Sequence, residues 1–172
     1  MSVIRPLIMA ALLVAPTFHA QSYDVLISVT GNLTGNTCTV AADSLTLNVP
    51  LGTIGLKQFT TTAGVSQLAS PFTLTLEECG QQFAGVKIKF SGTPDDNNPQ
   101  LIKLAEGGAQ GVAVELLDKD SAPVPLDKPT SLYGVTGDTR VQMTFYARLA
   151  ATGAPLSAGD VSAIATWTTE YQ

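Results

Sequence analysis

Histidine is nearly absent from this sequence, and its scarcity removes most familiar catalytic chemistry. The single histidine, His19, lies in a segment that we expect to be cleaved on export. Without it the chain has no Ser-His or Cys-His nucleophilic pair and no histidine ligand for catalytic zinc. Glu77 and Glu78 are adjacent carboxylates, but neighbours on a strand point to opposite faces and cannot flank a bond. The sequence therefore predicts that the protein is not an enzyme.

Charged residues are also few, at 13%. The only close basic pair is Lys87 and Lys89. The chain therefore lacks the Lys and Arg clusters with which proteins bind nucleic acids and anionic membranes. The acidic clusters Asp95–Asp96 and Asp118–Asp120 lack the spacing of a calcium loop and are typical of turns. The run 107–111 lacks the Lys-Ser/Thr end of a phosphate loop. We expect no metal, no cofactor and no nucleic-acid partner.

No apolar run reaches the length of a membrane span. Residues 1–22 combine Arg5, an apolar stretch from Leu7 to Val14 and small residues after Pro16, a pattern that predicts a signal peptide cleaved after Ala20 or Ser22. Cleavage would remove one of the nine basic residues and none of the 14 acidic ones, so the mature net charge would be −6. The sequence thus predicts an exported, acidic protein.

Cysteine occurs only twice, as Cys38 and Cys79. An even pair in an exported chain favours a disulfide, with a reactive thiol or a metal site as the alternatives. In the chain-entropy model, closing a loop of this length contributes roughly 4 kcal/mol.

What the sequence has instead is alternation of apolar and polar residues, the mark of half-buried strands. Amphipathic helices of useful length, repeats and linkers are missing, and 172 residues favour one domain. About seven strands separated by turn signals indicate an all-β, immunoglobulin-like sandwich. The predicted strands are 24–33, 39–40 with 45–49, 71–77, 86–90, 112–117 with 124–126, 141–149, and a last strand from Gly159 to Tyr171.

The first of these strands stands apart because it lies at the start of the mature chain, where segments are usually disordered unless tied into a sheet. Its apolar face carries Val25, Ile27, Val29, Gly31 and Leu33. We expect its partner to be a different molecule, the alternative being an ordinary first strand of its own domain.

These features together resemble the subunits of chaperone-usher fimbriae such as type 1 pili. The resemblance covers the whole mature chain and rests on the N-terminal strand with Gly31 in its apolar row, the positions of Cys38 and Cys79, and the strand Phe72–Leu76 leading into the second cysteine. It also rests on Gly159, fourteenth from the end, and the penultimate Tyr171.

The resemblance implies a sandwich that lacks its final strand and is completed by donor-strand complementation. It implies a signal peptide (1–22), a donor extension (23–35) and a pilin domain (36–172). A periplasmic chaperone would first fill the groove, and a neighbouring subunit's extension would replace it at the outer-membrane usher. The C-terminal assembly strand along the groove would carry Gly159, Val161, Ala163, Ala165, Trp167, Thr169 and Tyr171, with Thr169 less apolar than usual at that place.

The sequence therefore predicts a structural fimbrial subunit that polymerises by donor-strand exchange and supports adhesion at the bacterial surface. Both an abundant rod subunit and a minor adaptor fit this pattern. The alternative function is a self-contained carbohydrate-binding or adhesive sandwich in which Trp167 stacks on sugar, although its place on the apolar row favours core packing.

Overall fold

The computed structural model describes residues 37–60 and 64–172, and within them the protein is a β-sandwich. One sheet has four antiparallel strands in the order β1, β2, β5, β4, and the other pairs β3 with β6. The strands are β1 (Thr39–Val40), β2 (Ser70–Glu77), β3 (Val86–Gly92), β4 (Val112–Leu117), β5 (Arg140–Ala151) and β6 (Ala165–Tyr171). Two short 3-10 helices cover Ala42–Ser44 and Leu56–Thr60. This confirms the all-β, immunoglobulin-like fold expected from the sequence.

Strand β5 is the centre of the larger sheet because it pairs with β2 along eight residues and with β4 along six. Its odd-numbered residues, from Val141 to Leu149, are buried, as its alternation predicts. Met143 and Phe145 are completely inaccessible and pack between the sheets against the inward residues of β2 and β3. Alternation and burial therefore agree along this strand.

Three predicted strand segments are wrong. Residues 45–49 form no strand, and residues 124–126 follow only an isolated bridge between Leu117 and Pro123. The last strand begins at Ala165 instead of Gly159, because its partner β3 ends at Gly92, which pairs with Ala165. Alternation of apolar and polar residues indicates only that one side of a segment faces apolar groups. A strand also needs a neighbouring strand to complete its backbone hydrogen bonds, and a local pattern does not show whether one is present.

No helix in the part of the chain that the structure describes is long and apolar enough to cross a bilayer. The predicted N-terminal strand, 24–33, lies outside the described residues.

Candidate functional site

An open groove of about 980 Å³ runs between two stretches that the strand ladders leave out. One wall is residues 44–54, which we call the first wall, and the other is residues 159–164, which we call the second wall. Core side chains from both sheets form the floor. The floor residues are Phe72, Leu74, Phe90, Ile102, Val114, Leu116, Ala147, Leu149 and Trp167.

The first wall is anchored at both ends. At its start, the buried Ser44 accepts a hydrogen bond from the Thr75 amide through its Oγ, at 2.9 Å. Towards its end, Ser70 Oγ donates to the carbonyl of Pro50 at 2.6 Å. The residues between these anchors pass along the floor without joining a sheet in the described structure. The wall is thus held in place while one backbone edge stays available.

The second wall is held from outside the groove. The carbonyls of Asp160 and Ser162 accept hydrogen bonds from the amides of Ala109 and Ala105, at 2.9 and 2.8 Å. In extended backbone, alternate residues direct their N–H and C=O groups to opposite edges, so those of Val161 and Ala163 point away from that loop. Beyond it, β6 pairs within the described ranges along one edge only, with β3. Among residues 37–60 and 64–172, both walls therefore present edges without a strand partner, of the kind that recruit another strand.

Apolar side chains stand exposed on both walls. Leu45 is 69% exposed and Ile164 is 82% exposed, and Leu47 and Val161 also meet solvent. Among the described residues that line the groove, Asp160 is the only charged one. Exposed apolar groups concentrated around one concave surface indicate a binding site for an apolar partner.

Three aromatic rings of the floor, those of Phe72, Phe90 and Trp167, lie near the fully buried ring of Phe145 beneath it. Phe90 packs edge-on against Phe145 with 5.0 Å between ring centroids, and Phe72 stacks on Phe145 at 5.7 Å. Trp167 lies opposite Phe90 in the β3–β6 pair and is half-buried against the core. Trp167 therefore packs against the core, as the sequence favours, and its exposed part faces the groove instead of an outer surface.

Gly159 begins the second wall for a steric reason. A Cβ at this position would lie 2.5 Å from the backbone N of Ala109 and 2.6 Å from the carbonyl carbon of Gly108. Backbone cannot move aside as a flexible side chain can, so only glycine permits this close approach. The wall and the loop 105–111 therefore meet backbone to backbone.

The remaining residues that the sequence predicts for the groove lie either in the main groove, in an adjoining recess or outside both. Val161, Ala163, Ala165 and Trp167 line the main groove. Thr169 lines an adjoining recess of about 240 Å³, which extends the groove towards β1.

Tyr171 lies outside the groove. Its hydroxyl donates a hydrogen bond to the Cys38 carbonyl at 3.3 Å, and its ring packs edge-on against Phe83. Cys38 and Cys79 form the predicted disulfide, with Cα atoms 4.0 Å apart. Tyr171 thus ties the end of β6 to the disulfide.

The sequence interpretation missed the first wall as a part of the site. The alternation of Leu45, Leu47 and Val49 is the sequence feature that marks this wall, but on its own it predicts a strand of the sheet. The predicted donor residues Val25, Ile27, Val29, Gly31 and Leu33 lie outside the described residues. Within the described ranges, no cluster of His, Cys, Asp and Glu could hold a metal ion.

Known proteins share both sequence and fold with this chain. The family model described as "Fimbrial protein" matches residues 27–172. The S-fimbrial protein subunit SfaG of Escherichia coli O6:K15:H31 is 38% identical over 157 residues, covering 91% of this chain and 88% of that protein.

Among solved structures, the P pilus rod subunit PapA is 22% identical, with a TM-score of 0.65 over 78% of this chain and 99% of that one. A chaperone-usher pilus subunit is 20% identical, with a TM-score of 0.64 over 92% of this chain and 100% of that one. These two similarities establish a shared fold.

Proposed function

The chain belongs to the fimbrial protein family and is a structural subunit of a pilus, and from this premise we propose that it joins its neighbours by exchanging a β-strand. Its groove would accept the N-terminal extension of one neighbouring subunit, while its own residues 23–35 would fill the groove of another. The observation that carries the proposal is the open apolar groove, bounded by two backbone edges that pair with no strand in the part of the chain that the structure describes.

The chemistry of the predicted extension matches that of the groove. Its apolar row alternates at the spacing of a strand, so that every second side chain would enter the floor while the backbone pairs with both walls. Burying Val25, Ile27, Val29 and Leu33 would contribute about 1.5 to 3 kcal/mol each, or roughly 6 to 12 kcal/mol before ordering costs. Gly31 would lie where the floor leaves no room for a side chain.

A groove of this kind needs a partner before the neighbour arrives. We propose that a periplasmic chaperone fills it after the signal peptide (1–22) is removed, and that an outer-membrane usher exchanges the chaperone for the next extension. The exposed Leu45 and Ile164 support this, because such side chains favour aggregation when they are left uncovered. The subunit would then reach the cell surface as part of a fimbrium that supports adhesion.

No described feature favours a self-contained sugar-binding domain. Trp167, the only tryptophan, is half-buried in the groove floor and is not presented on an outer face. It offers instead a built-in fluorescent reporter of groove occupancy.

The test mixes the chaperone-bound subunit with a peptide spanning residues 23–35. We expect the peptide to release the chaperone, to shift Trp167 emission as water leaves the groove, and to raise the midpoint of thermal unfolding. The peptide contains no tryptophan, so it adds no tryptophan emission of its own, and the emission is read on the subunit after the released chaperone has been removed.

The matched control is the same peptide with Gly31→Val, which should bind far more weakly because the added side chain collides with the floor. The same change in the full chain should slow polymerisation while leaving the chaperone-bound subunit folded. Equal action of the two peptides, or a wild-type peptide that does nothing, would refute the proposed strand exchange.

A further inference from the structure

Two exposed apolar side chains stand at one end of the sandwich, away from the groove. Leu132 is 48% exposed and lies over Gly85, where an added Cβ would meet it at 2.8 Å. Val135, three residues later, is 67% exposed at the tip of a turn that the Asp138 carboxylate closes by accepting the Val135 amide at 2.8 Å. We call these two side chains the end patch.

The end patch shares its end of the domain with the disulfide. The Gly85 carbonyl beneath Leu132 accepts a hydrogen bond from the Gln172 amide, just past the end of β6. On the other side, the Phe83 carbonyl accepts a hydrogen bond from the Gly137 amide, and the Phe83 amide donates one to the Gly80 carbonyl. Gly80 follows Cys79 of the disulfide. We call this the disulfide end.

The chain also enters the domain at the disulfide end. The carbonyl of Thr37 accepts a hydrogen bond from the Gly80 amide at 3.2 Å, and Cys38 follows in the disulfide. Thr37 therefore lies at the disulfide end, and any segment that precedes it in the chain is attached to the domain at that end.

The opposite end, which we call the loop end, lies where β3 stops at Gly92 and β6 starts at Ala165. Ile164 stands there with 82% of its surface exposed, the largest exposed fraction among the large apolar residues of the described chain. Its side chain is thus the apolar counterpart of the end patch at the other end of the domain.

The direction of β6 determines which ends meet. Strand β6 runs from the loop end to the disulfide end. A donor strand parallel to it would bring two disulfide ends together and favour a closed, two-fold pair. An antiparallel donor would place the disulfide end of one subunit against the loop end of the next, and this head-to-tail arrangement stays open. A fibre requires the open arrangement.

We propose that the end patch of each subunit packs against the loop end of the subunit that accepts its extension, next to the Ile164 position. This inference rests on the strand exchange proposed above and adds to it a second contact, made between the bodies of the two domains. The side chains of Leu132 and Val135 would limit rotation of one domain on the next, which the exchanged strand alone would leave free.

The test places cysteines at both ends of the full chain, as Val135→Cys with Ile164→Cys, in cells that also supply the chaperone and usher. The periplasm is oxidising, so cysteines within reach of each other should link successive subunits. The control pair is Val135→Cys with Thr168→Cys, because Thr168 is exposed on the middle of β6, away from both ends. Isolated fibres are boiled in detergent without reductant and separated by size, before and after treatment with a bifunctional maleimide.

We expect a ladder of linked subunits from the end-to-end pair and none from the control pair. In addition, Leu132→Ser with Val135→Ser should increase the rate of subunit loss from heated fibres about tenfold. The same double variant should bind the 23–35 peptide with an unchanged Trp167 response, since it leaves the groove intact.

Fibres that form without a ladder and lose subunits at the wild-type rate would overturn the end contact while leaving strand exchange in place. Failure of the wild-type chain to enter fibres at all would instead overturn the proposed function, and the end contact with it.

Discussion

At the scale of single residues, Gly159 and Tyr133 illustrate two different effects on stability. Gly159 permits the second wall to touch the loop 105–111, and Tyr133 buries a hydroxyl that has no hydrogen-bond partner among the described residues. The first is a steric requirement and the second an energetic cost, so their substitution should have opposite consequences.

We predict that Gly159→Ala lowers the free energy of unfolding by about 1 to 3 kcal/mol, because its methyl group collides with the backbone of Gly108 and Ala109. The measurement is thermal unfolding of the subunit filled with the 23–35 peptide. Gly55→Ala is the matched control, since a Cβ there meets nothing within 4 Å. Equal stability of the two variants would contradict the close approach.

We predict that Tyr133→Phe leaves stability at neutral pH unchanged or raises it by up to about 1 kcal/mol, because it removes an unpaired buried hydroxyl. The ring would keep its edge-on contact with Phe145 at 5.6 Å. Tyr171→Phe is the comparison, because it removes a hydrogen bond to the Cys38 carbonyl and should cost about 0.5 to 1.5 kcal/mol. A comparable loss in both variants would mean that the Tyr133 hydroxyl is paired.

The same residue makes a prediction about alkaline pH. Burial raises the pKa of Tyr133 above its ordinary value and the nearby Asp118 carboxylate raises it further, and together these outweigh the smaller lowering effects of Ser131 and Lys119. The unfolded chain therefore ionises at lower pH than the fold, so this group's contribution to stability is lost as pH rises above about 10. Tyr133→Phe should reduce the loss, and parallel unfolding curves of variant and wild type from neutral to alkaline pH would count against it.

At the scale of elements, the two walls differ from the paired strands around them. Strand β5 has a hydrogen-bonded neighbour on both edges, and the first wall joins no sheet in the described structure. The strands 86–90, 112–117 and 141–149 were predictable because local alternation and long-range pairing agree there. The walls were misassigned because they alternate without a paired neighbour, which a local pattern cannot reveal.

We predict that filling the groove protects the backbone amides of the first wall, residues 45–54, from hydrogen exchange, because they gain a strand to pair with. The amides of Arg140–Ala151 should be protected before and after filling and provide the internal reference. The measurement compares the chain with and without the 23–35 peptide. Unchanged exchange along the wall despite a Trp167 response would contradict backbone pairing there.

At the scale of the whole molecule, the sandwich has a closed core and an open side. The aromatic rings around Phe145 fill the core between the two sheets. The disulfide, to which Tyr171 is hydrogen-bonded at Cys38, fastens one end of the sandwich. The groove leaves Phe72 and Trp167 of the floor half-buried and the apolar wall residues Leu45 and Ile164 exposed, so the isolated domain lacks part of its hydrophobic stabilisation.

We predict that the mature chain aggregates when it is produced without a groove-filling partner. Residues 23–35 attached after Gln172 through a short turn should prevent this, because β6 ends at the disulfide end, where an antiparallel donor would begin. Light scattering and the unfolding midpoint measure the difference, with the Gly31→Val version of the attached segment as control. A soluble, monomeric chain without any filler would contradict an incomplete fold.

The sequence by itself determined the fold class, the disulfide pair and the buried rows of the central strands, because each depends on residue type or on spacing within a short segment. Only the tertiary structure decided where the strand ladders stop. That outcome depends on which distant segments meet: β3 ends at Gly92, and residues 45–54 find no strand beside them among the residues that the structure describes. The groove is defined by this lack of a neighbour, and long-range pairing is a property of the folded chain that no local pattern contains.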